Sequence, residues 1–388
     1  MLRISIKTTT ISVLTDPLRQ FHFDYSGRII GHFDSGDHYR VGLDGSIVYK
    51  SEKPDSNDHF LDKEERDNLY RSWLMEWRSW PDEQFLLLNI DAPKVDINLF
   101  LYSVIIKAES RNSEHQNFRK IWNKIPILPP EFYQSIVVNF SLGCSHDECS
   151  FCSFYKGKPF RIRSTEELET HLEEISDFFG MGITSRRDIF IGEANALAIP
   201  QKRFVDLLRK FTQWKKLQTD NYPELKIKRT GSFLDGFTGI HKSEEDWLEL
   251  RENGLTDVAL GIESGNKNLL TSVGKPFDLD EISEIINRIK KAGLNLQLIF
   301  LLGLGGKANK EEHFKDSVEL LHHFNLTSAD RIQLSFLNPD LVPDGYPFSD
   351  SFMNENELET EYLTWKTLIQ KENPVWEVRK YPTQLFVV

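Results

Sequence analysis

Three cysteines, Cys144, Cys149 and Cys152, stand within nine positions of a 388-residue chain that contains no other cysteine. They lie in the run SLGCSHDECSFCSFYKGKPFRIRS, residues 141–164. Three thiols with no partner elsewhere cannot build a disulfide framework. That usage points to a reducing, intracellular compartment. Thiols scattered through a core are often mere filler, but these crowd beside His146, Asp147 and Glu148. A structural zinc site needs a fourth ligand, and His146 is at hand. A plant-type ferredoxin shares the Cys-x4-Cys-x2-Cys run but needs a further, distant cysteine. A 4Fe–4S cluster held by three thiolates leaves one iron open. An open coordination position marks a metal centre that does chemistry instead of only holding structure.

The elements that must present this loop can be read from pattern. SIVVNFSL (135–142) reads as a buried strand ending just before Cys144. Further strand-like runs are DIFIGEAN (188–195), LKIKRTGSF (225–233), TDVALGIESG (256–265), LNLQLIFLLGLGG (294–306) and RIQLSFLNP (331–339). Helical patterns alternate with them at 165–179, 200–217, 243–254, 279–293 and 310–325. Ser243 and Asp246 are spaced for a capping box, and Gly254 and Gly293 stop two of the helices. Strand–helix alternation with continuously apolar strands means parallel strands buried on both faces. An open doubly wound sheet and a barrel both satisfy this pattern. No G-x-G-x-x-G follows the first strand, which counts against a dinucleotide-binding sheet. In either architecture ligands sit at the carboxyl ends of the strands. The cysteine loop lies there, as do Gly192, Glu193, Glu263, Ser264, Gly303 and Asn338.

The first 50 residues read as an antiparallel meander with turns at 25–28 and 44–45. A polar loop (51–60) follows, then helical patterns at 63–80 and around 95–122, the former spacing Leu69, Trp73, Leu74 and Trp77. The expected division is an N-terminal α+β extension over 1–130, an α/β unit over 131–345 and a C-terminal extension over 346–388. The first is expected to pack against the α/β unit and partly cover the site. The apolar tail KYPTQLFVV (380–388) is expected to close the barrel bottom or cover an edge. Charged residues make up 27% and hydrophobic residues 39%, an ordinary globular composition. A formal net charge of -12 gives no reason to expect bulk nucleic-acid affinity. No apolar run approaches the ~20 residues needed to span a bilayer, and the N-terminus lacks a signal-peptide pattern. The reading is a cytoplasmic protein with no membrane segment.

These residues resemble the radical S-adenosylmethionine (radical SAM) superfamily over about 134–340. The usual signature there is Cys-x3-Cys-x-aromatic-Cys after the first strand of a partial (β/α)6 TIM-like barrel. Here Phe151 supplies the aromatic, and one extra residue separates Cys144 from Cys149. Ile191-Gly192-Glu193-Ala194 is similar to the Gly-Gly-Glu motif whose groups meet the SAM ammonium. Gly261-Ile262-Glu263-Ser264-Gly265 resembles the segment that meets the ribose and methionyl parts of SAM. Leu302 and Gly303, with Leu337, resemble the apolar walls around adenine.

The resemblance implies a 4Fe–4S cluster on Cys144, Cys149 and Cys152, with SAM on the open iron. It implies an oxygen-sensitive enzyme that takes electrons from a flavodoxin or ferredoxin. Reductive cleavage of SAM then gives a 5′-deoxyadenosyl radical that abstracts hydrogen from a small-molecule or peptide substrate. No side chain is singled out as acid, base or nucleophile. Tyr155, Lys156, Arg161, Arg229, Ser232 and Asn338 are candidate substrate contacts. Three cysteines leave none for auxiliary clusters, and the N-terminal pattern lacks the alternation of a cobalamin-binding domain. Two alternatives stay open: a non-catalytic Cys3His zinc protein, and non-radical alkyl transfer from cluster-bound SAM.

Overall fold

The computed structural model describes residues 1–52, 58–90, 95–275, 278–382 and 387–388. Part of the polar loop (53–57) and part of the apolar tail (383–386) lie outside the described residues.

Short strands separated by Gly- and Asp-containing turns give the expected N-terminal meander. Its strands are β1 (Leu2–Ile6), β2 (Ile11–Asp16), β3 (Arg19–Phe23), β4 (Ile29–Asp34), β5 (Asp37–Val41), β6 (Ile47–Ser51) and β7 (His59–Phe60). Each pairs antiparallel with the next, and β8 (Phe85–Ile90) adds parallel to β1. Helix α1 (Lys63–Trp77) starts on a capping box between Asp62 and Glu65. It turns Tyr70, Trp73 and Trp77 inward, where Trp73 and Trp77 meet Phe21 edge-on. The helical pattern around 95–122 divides at Ser110 into α2 (Ile97–Glu109) and α3 (Arg111–Trp122).

The second unit alternates strand and helix. Its elements begin β9 (Ser135–Asn139), a ribbon of β10 (Ser141–Leu142) and β11 (Arg161–Ile162), α4 (Thr165–Phe179), β12 (Asp188–Gly192), α5 (Gln201–Asn221), β13 (Arg229–Leu234) and α6 (Glu244–Glu252). There follow β14 (Asp257–Glu263), α7 (Lys267–Ser272), α8 (Leu279–Lys291), β15 (Asn295–Leu302), α9 (Lys310–Leu321), β16 (Arg331–Phe336), α10 (Glu355–Glu372) and β17 (Glu377–Tyr381). Seven strands form one sheet in the order β17-β16-β15-β14-β13-β12-β9, every pair parallel. This is the α/β partial barrel that the resemblance implied, one of the two architectures the alternation allowed, with β17 added beyond the six strands read from sequence. The capping box of Ser243 and Asp246 is present, and Ser164 forms another with Glu167 at the start of α4. Helix α8 buries Ile282, Ile285, Ile286 and Ile289 along one stripe against the sheet.

The N-terminal unit meets the barrel at the turn between α4 and β12. Arg28, itself paired with Asp24 at 3.0 Å and Glu114 at 3.2 Å, donates to the Phe178 carbonyl at 3.0 Å. The Tyr25 N–H reaches Ser185 Oγ at 3.3 Å. That turn lies at the amino ends of the strands, opposite the cysteine loop. Among the described residues, no helix is long and apolar enough to cross a membrane.

Candidate functional site

At the carboxyl ends of the strands lies a cavity of about 1230 Å³, its open mouth included. All three cysteines line it, with Phe151, Tyr155, Lys156, Asn195, Phe233, Asp235, Gly261, Glu263, Lys275, Ile299, Leu301, Ser335, Leu337, Asn338 and Tyr381 among its walls. Among the described residues before β9, Ile127 alone lines it.

The cysteine loop is fixed at its start, middle and end. At the start, the Gly143 N–H donates to Glu193 Oε2 at 2.5 Å, while Glu193 Oε1 takes the Lys158 ammonium. Gly143 has φ 73°, and a Cβ there would lie 2.5 Å from the Lys158 carbonyl oxygen, so only glycine fits. In the middle, His146 Nε2 pairs with the Gly274 carbonyl at 2.8 Å and the Ser150 N–H donates to the Val273 carbonyl at 2.9 Å. At the end, the Gly157 N–H donates to Asp147 Oδ2 at 3.0 Å. The β10–β11 ribbon ties the two ends of the loop together.

Burial pushes the Cys149 thiol up to about 12 and Cys152 up to about 11, and raises Cys144 as well. Iron must therefore displace protons from thiols in an apolar wall. Lys275 opposes that burial. Its own burial works to lower its pKa, but its neighbours, the Glu263 carboxylate foremost, outweigh this and raise it. Lys275 Nζ lies 2.7 Å from Glu263 Oε1, with both side chains nearly sealed from solvent. Glu263 sits at φ 64° just past a register shift in β14, and this local break carries its carboxylate into the cavity. On the next strand end, Asp235 accepts from the Phe237 and Thr238 N–H groups at 3.0 and 2.7 Å and is in contact with Asn195.

The donor set suits a 4Fe–4S cluster. It is all sulfur, it faces a cavity, and its positive neighbour is Lys275. His146, the side chain a Cys3His zinc site would need, is turned to the Gly274 carbonyl and packs on Phe237. Among the described residues, no group of three or more His, Cys, Asp or Glu side chains is arranged to hold a single metal ion.

The chain over residues 138–321 matches the family model described as the radical SAM superfamily. Over these residues, just under half of its length, the chain is a radical SAM superfamily member. Membership implies a 4Fe–4S cluster and SAM as cofactors. Among curated proteins, this radical SAM chain is 24% identical over 236 residues to an anaerobic magnesium-protoporphyrin IX monomethyl ester cyclase of Rubrivivax gelatinosus. That match covers 60% of this chain and 36% of the cyclase, so the chain spans about a third of that relative's length. Among solved structures it is similar to methylornithine synthase (15% identity, TM-score 0.42, covering 80% of this chain and 77% of that one). It is also similar to a radical S-adenosylmethionine methyltransferase from Kitasatospora setae (17% identity, TM-score 0.40, covering 53% and 38%).

Strand alternation decides where the residues singled out from sequence fall. Phe151, Tyr155, Lys156, Glu263, Leu337 and Asn338 join the cysteines on the cavity wall. Eight others do not line it. Leu302 points away from the cavity into the surrounding core, and its neighbour Leu301 takes the inward place. Ser264 Oγ bonds His313 Nδ1 at 2.7 Å behind the strand. Gly303 backs onto Leu358 of α10. Ser232 points outward and donates to the Ile191 carbonyl at 2.9 Å. Arg229 opens β13 at the far end of the barrel, bound to Asp188 at 2.9 Å and the Glu131 carbonyl at 2.6 Å. Arg161 is exposed and grips Glu167 at 2.5 and 2.7 Å. Gly192 packs over Asn139, and the Glu193 carboxylate holds the cysteine loop by Gly143 and Lys158.

Lys275, Asp235, Asn195, Ser335 and Tyr381 were not read from sequence. Ser335 could have been found by counting two residues at a time inward along β16. Lys275 had no such signal, because it enters from the loop after α7.

Proposed function

We propose that this chain is a radical SAM enzyme that removes a hydrogen atom from a small, largely apolar substrate or peptide side chain. The observation that carries the reading is a wall of three thiols facing a cavity that also holds the Glu263–Lys275 pair. The thiols and the apolar side chains Phe233, Ile299 and Tyr381 line one and the same cavity, so SAM and a substrate would share it. When bound, the cluster and SAM together supply one-electron chemistry that ends in hydrogen-atom abstraction.

The chain's own residues have four tasks in this reading. Cys144, Cys149 and Cys152 hold the cluster as thiolates, with the Lys275 charge offsetting theirs. Glu263, paired with Lys275, accepts hydrogen bonds from hydroxyl groups of the nucleoside. Phe151, Leu301 and Leu337 wall the adenine side and keep water from the reacting centre. Lys156 and Asn338, near the mouth, meet polar groups of the substrate. The electron donor is a flavodoxin or ferredoxin in a reducing cytoplasm.

Incubation of anaerobically reconstituted protein with SAM and dithionite tests the proposal. The expected product is 5′-deoxyadenosine, detected by mass spectrometry and lost in Cys→Ala variants. Methylthioadenosine in its place supports non-radical alkyl transfer. A colourless protein that keeps stoichiometric zinc after reconstitution overturns the reading.

A further inference from the structure

The barrel's seventh strand brings to the cavity a group that the cluster and SAM leave unused. Tyr381, on β17, is only 2% exposed, and its hydroxyl finds no hydrogen-bond partner among the described residues. Its ring packs with Ala259 and Ile299, beside Ile127 and Phe233. Tyr381, Ile299, Phe233 and Ile127 all line the cavity, so this cluster is its floor. Ser335 is the cross-strand neighbour of Tyr381 and lines the same floor. Tyr155, reaching in from the cysteine loop, adds a second buried phenol. Burial raises both phenols far above their ordinary pKa, so each is a neutral O–H donor at neutral pH.

A buried donor left without an acceptor costs about 1–3 kcal/mol. Most such groups in folded proteins are paired, and one that is not calls for an explanation. Among the described residues, no carboxylate accepts from Tyr381. Ile127, one of the side chains packed with it, belongs to the irregular segment between α3 and β9. A ligand that reaches this floor meets a buried donor beside the apolar side chains Ile299, Phe233 and Ile127. Of the charged side chains on the cavity wall, Asp147, Lys156 and Asp235 come from loops at the strand ends, and the Glu263 carboxylate, which also acts on Tyr381, is paired with Lys275.

We propose that Tyr381, with Ser335 beside it, forms the substrate subsite. It would take a neutral, mainly apolar molecule or side chain bearing one carbonyl-type hydrogen-bond acceptor. The proposal rests on the radical SAM reading only in that it names the substrate class of the same cavity. Tyr381 is a positioning residue that orients the substrate by its acceptor, and no bond to it forms or breaks.

The test uses two probes of one shape, acetophenone and α-methylstyrene, which differ in C=O against C=CH2. Their affinities for the anaerobic holoenzyme are measured by ligand-observed NMR. Wild type should favour acetophenone by about fivefold or more, the worth of one buried hydrogen bond. Tyr381→Phe should weaken acetophenone until the two probes differ less than about twofold, with α-methylstyrene unchanged. A preference that survives Tyr381→Phe overturns the subsite, as does a wild type that shows no preference or no binding. Formation of 5′-deoxyadenosine by the same wild-type sample is read separately. If it forms while the preference is absent, the subsite alone fails. If the preference is present without it, the radical reading fails and the subsite stands.

Discussion

Replacing Lys275 with methionine removes one partner of a buried ion pair and strands the other. Lys275 Nζ and Glu263 Oε1 are 2.7 Å apart, and their side chains are 8% and 12% exposed. Breaking such a pair costs ~3–5 kcal/mol in a sealed interior, because a charge stays buried without its partner. The cavity beside this pair opens to solvent, so water reaches the orphaned carboxylate and about 2–3 kcal/mol is the working figure. For a domain of this size each kcal/mol moves the melting point by roughly 2–4 °C, so the barrel transition should fall by about 5–10 °C. Scanning calorimetry on cluster-free protein under reductant measures this. The control is Lys216→Met, whose side chain is 75% exposed and paired only with Asp220 on the same helix. That change should stay within about 0.5 kcal/mol. The double variant Glu263→Gln/Lys275→Met should recover at least half of the loss, since neither charge is then left alone. A Lys275→Met shift no larger than the control, or a double variant worse than the sum of the singles, refutes the reasoning.

Further outcomes follow from other sites. Gly274→Ala forces a side chain into φ 71° with its Cβ 2.7 Å from the Glu148 carbonyl oxygen, so the cysteine loop must move. Strain of about 1–2 kcal/mol and a clear drop in iron bound per chain are expected, read by calorimetry and iron analysis. Arg229→Ala should destabilise the barrel by about 1–3 kcal/mol without changing SAM affinity, measured by titration, because Arg229 braces the far end. Burial holds His171 down to about 3 and His313 and His32 down to about 4, so all three fold uncharged. The unfolded chain binds their protons from about pH 6.5 downward. Stability is therefore full above that pH and falls as pH drops toward 4, by up to ~1.4 kcal/mol per pH unit for each histidine. Melting points of cluster-free protein between pH 7.5 and 5.0 should show this, and His313→Gln should make the slope shallower.

The strand–helix alternation was legible because strands such as β9 and β15 are apolar on both faces and helices such as α8 carry one apolar stripe. The cysteine loop was legible because its spacing is local. β17 was not, since Glu377–Tyr381 reads EVRKY and is recognisable as a strand only once β16 offers it an edge. Site residues were harder, because a one-residue offset turns a side chain from cavity to core. Leu302 and Leu301 differ by that step, and so do Ser264 and Glu263. Arg229 was placed at the wrong end because β13 begins at residue 229, a few positions later than its pattern suggested. Tyr381 and Lys275 act across the fold from segments with no motif of their own.

The central claim is that Cys144, Cys149 and Cys152 hold a 4Fe–4S cluster whose fourth iron is open to SAM. Electron paramagnetic resonance of the dithionite-reduced, anaerobic protein tests it most directly. A reduced-cluster signal that changes shape when SAM is added, and that disappears in each Cys→Ala variant, is the expected result. A signal indifferent to SAM, or one that persists without any of the three cysteines, contradicts it.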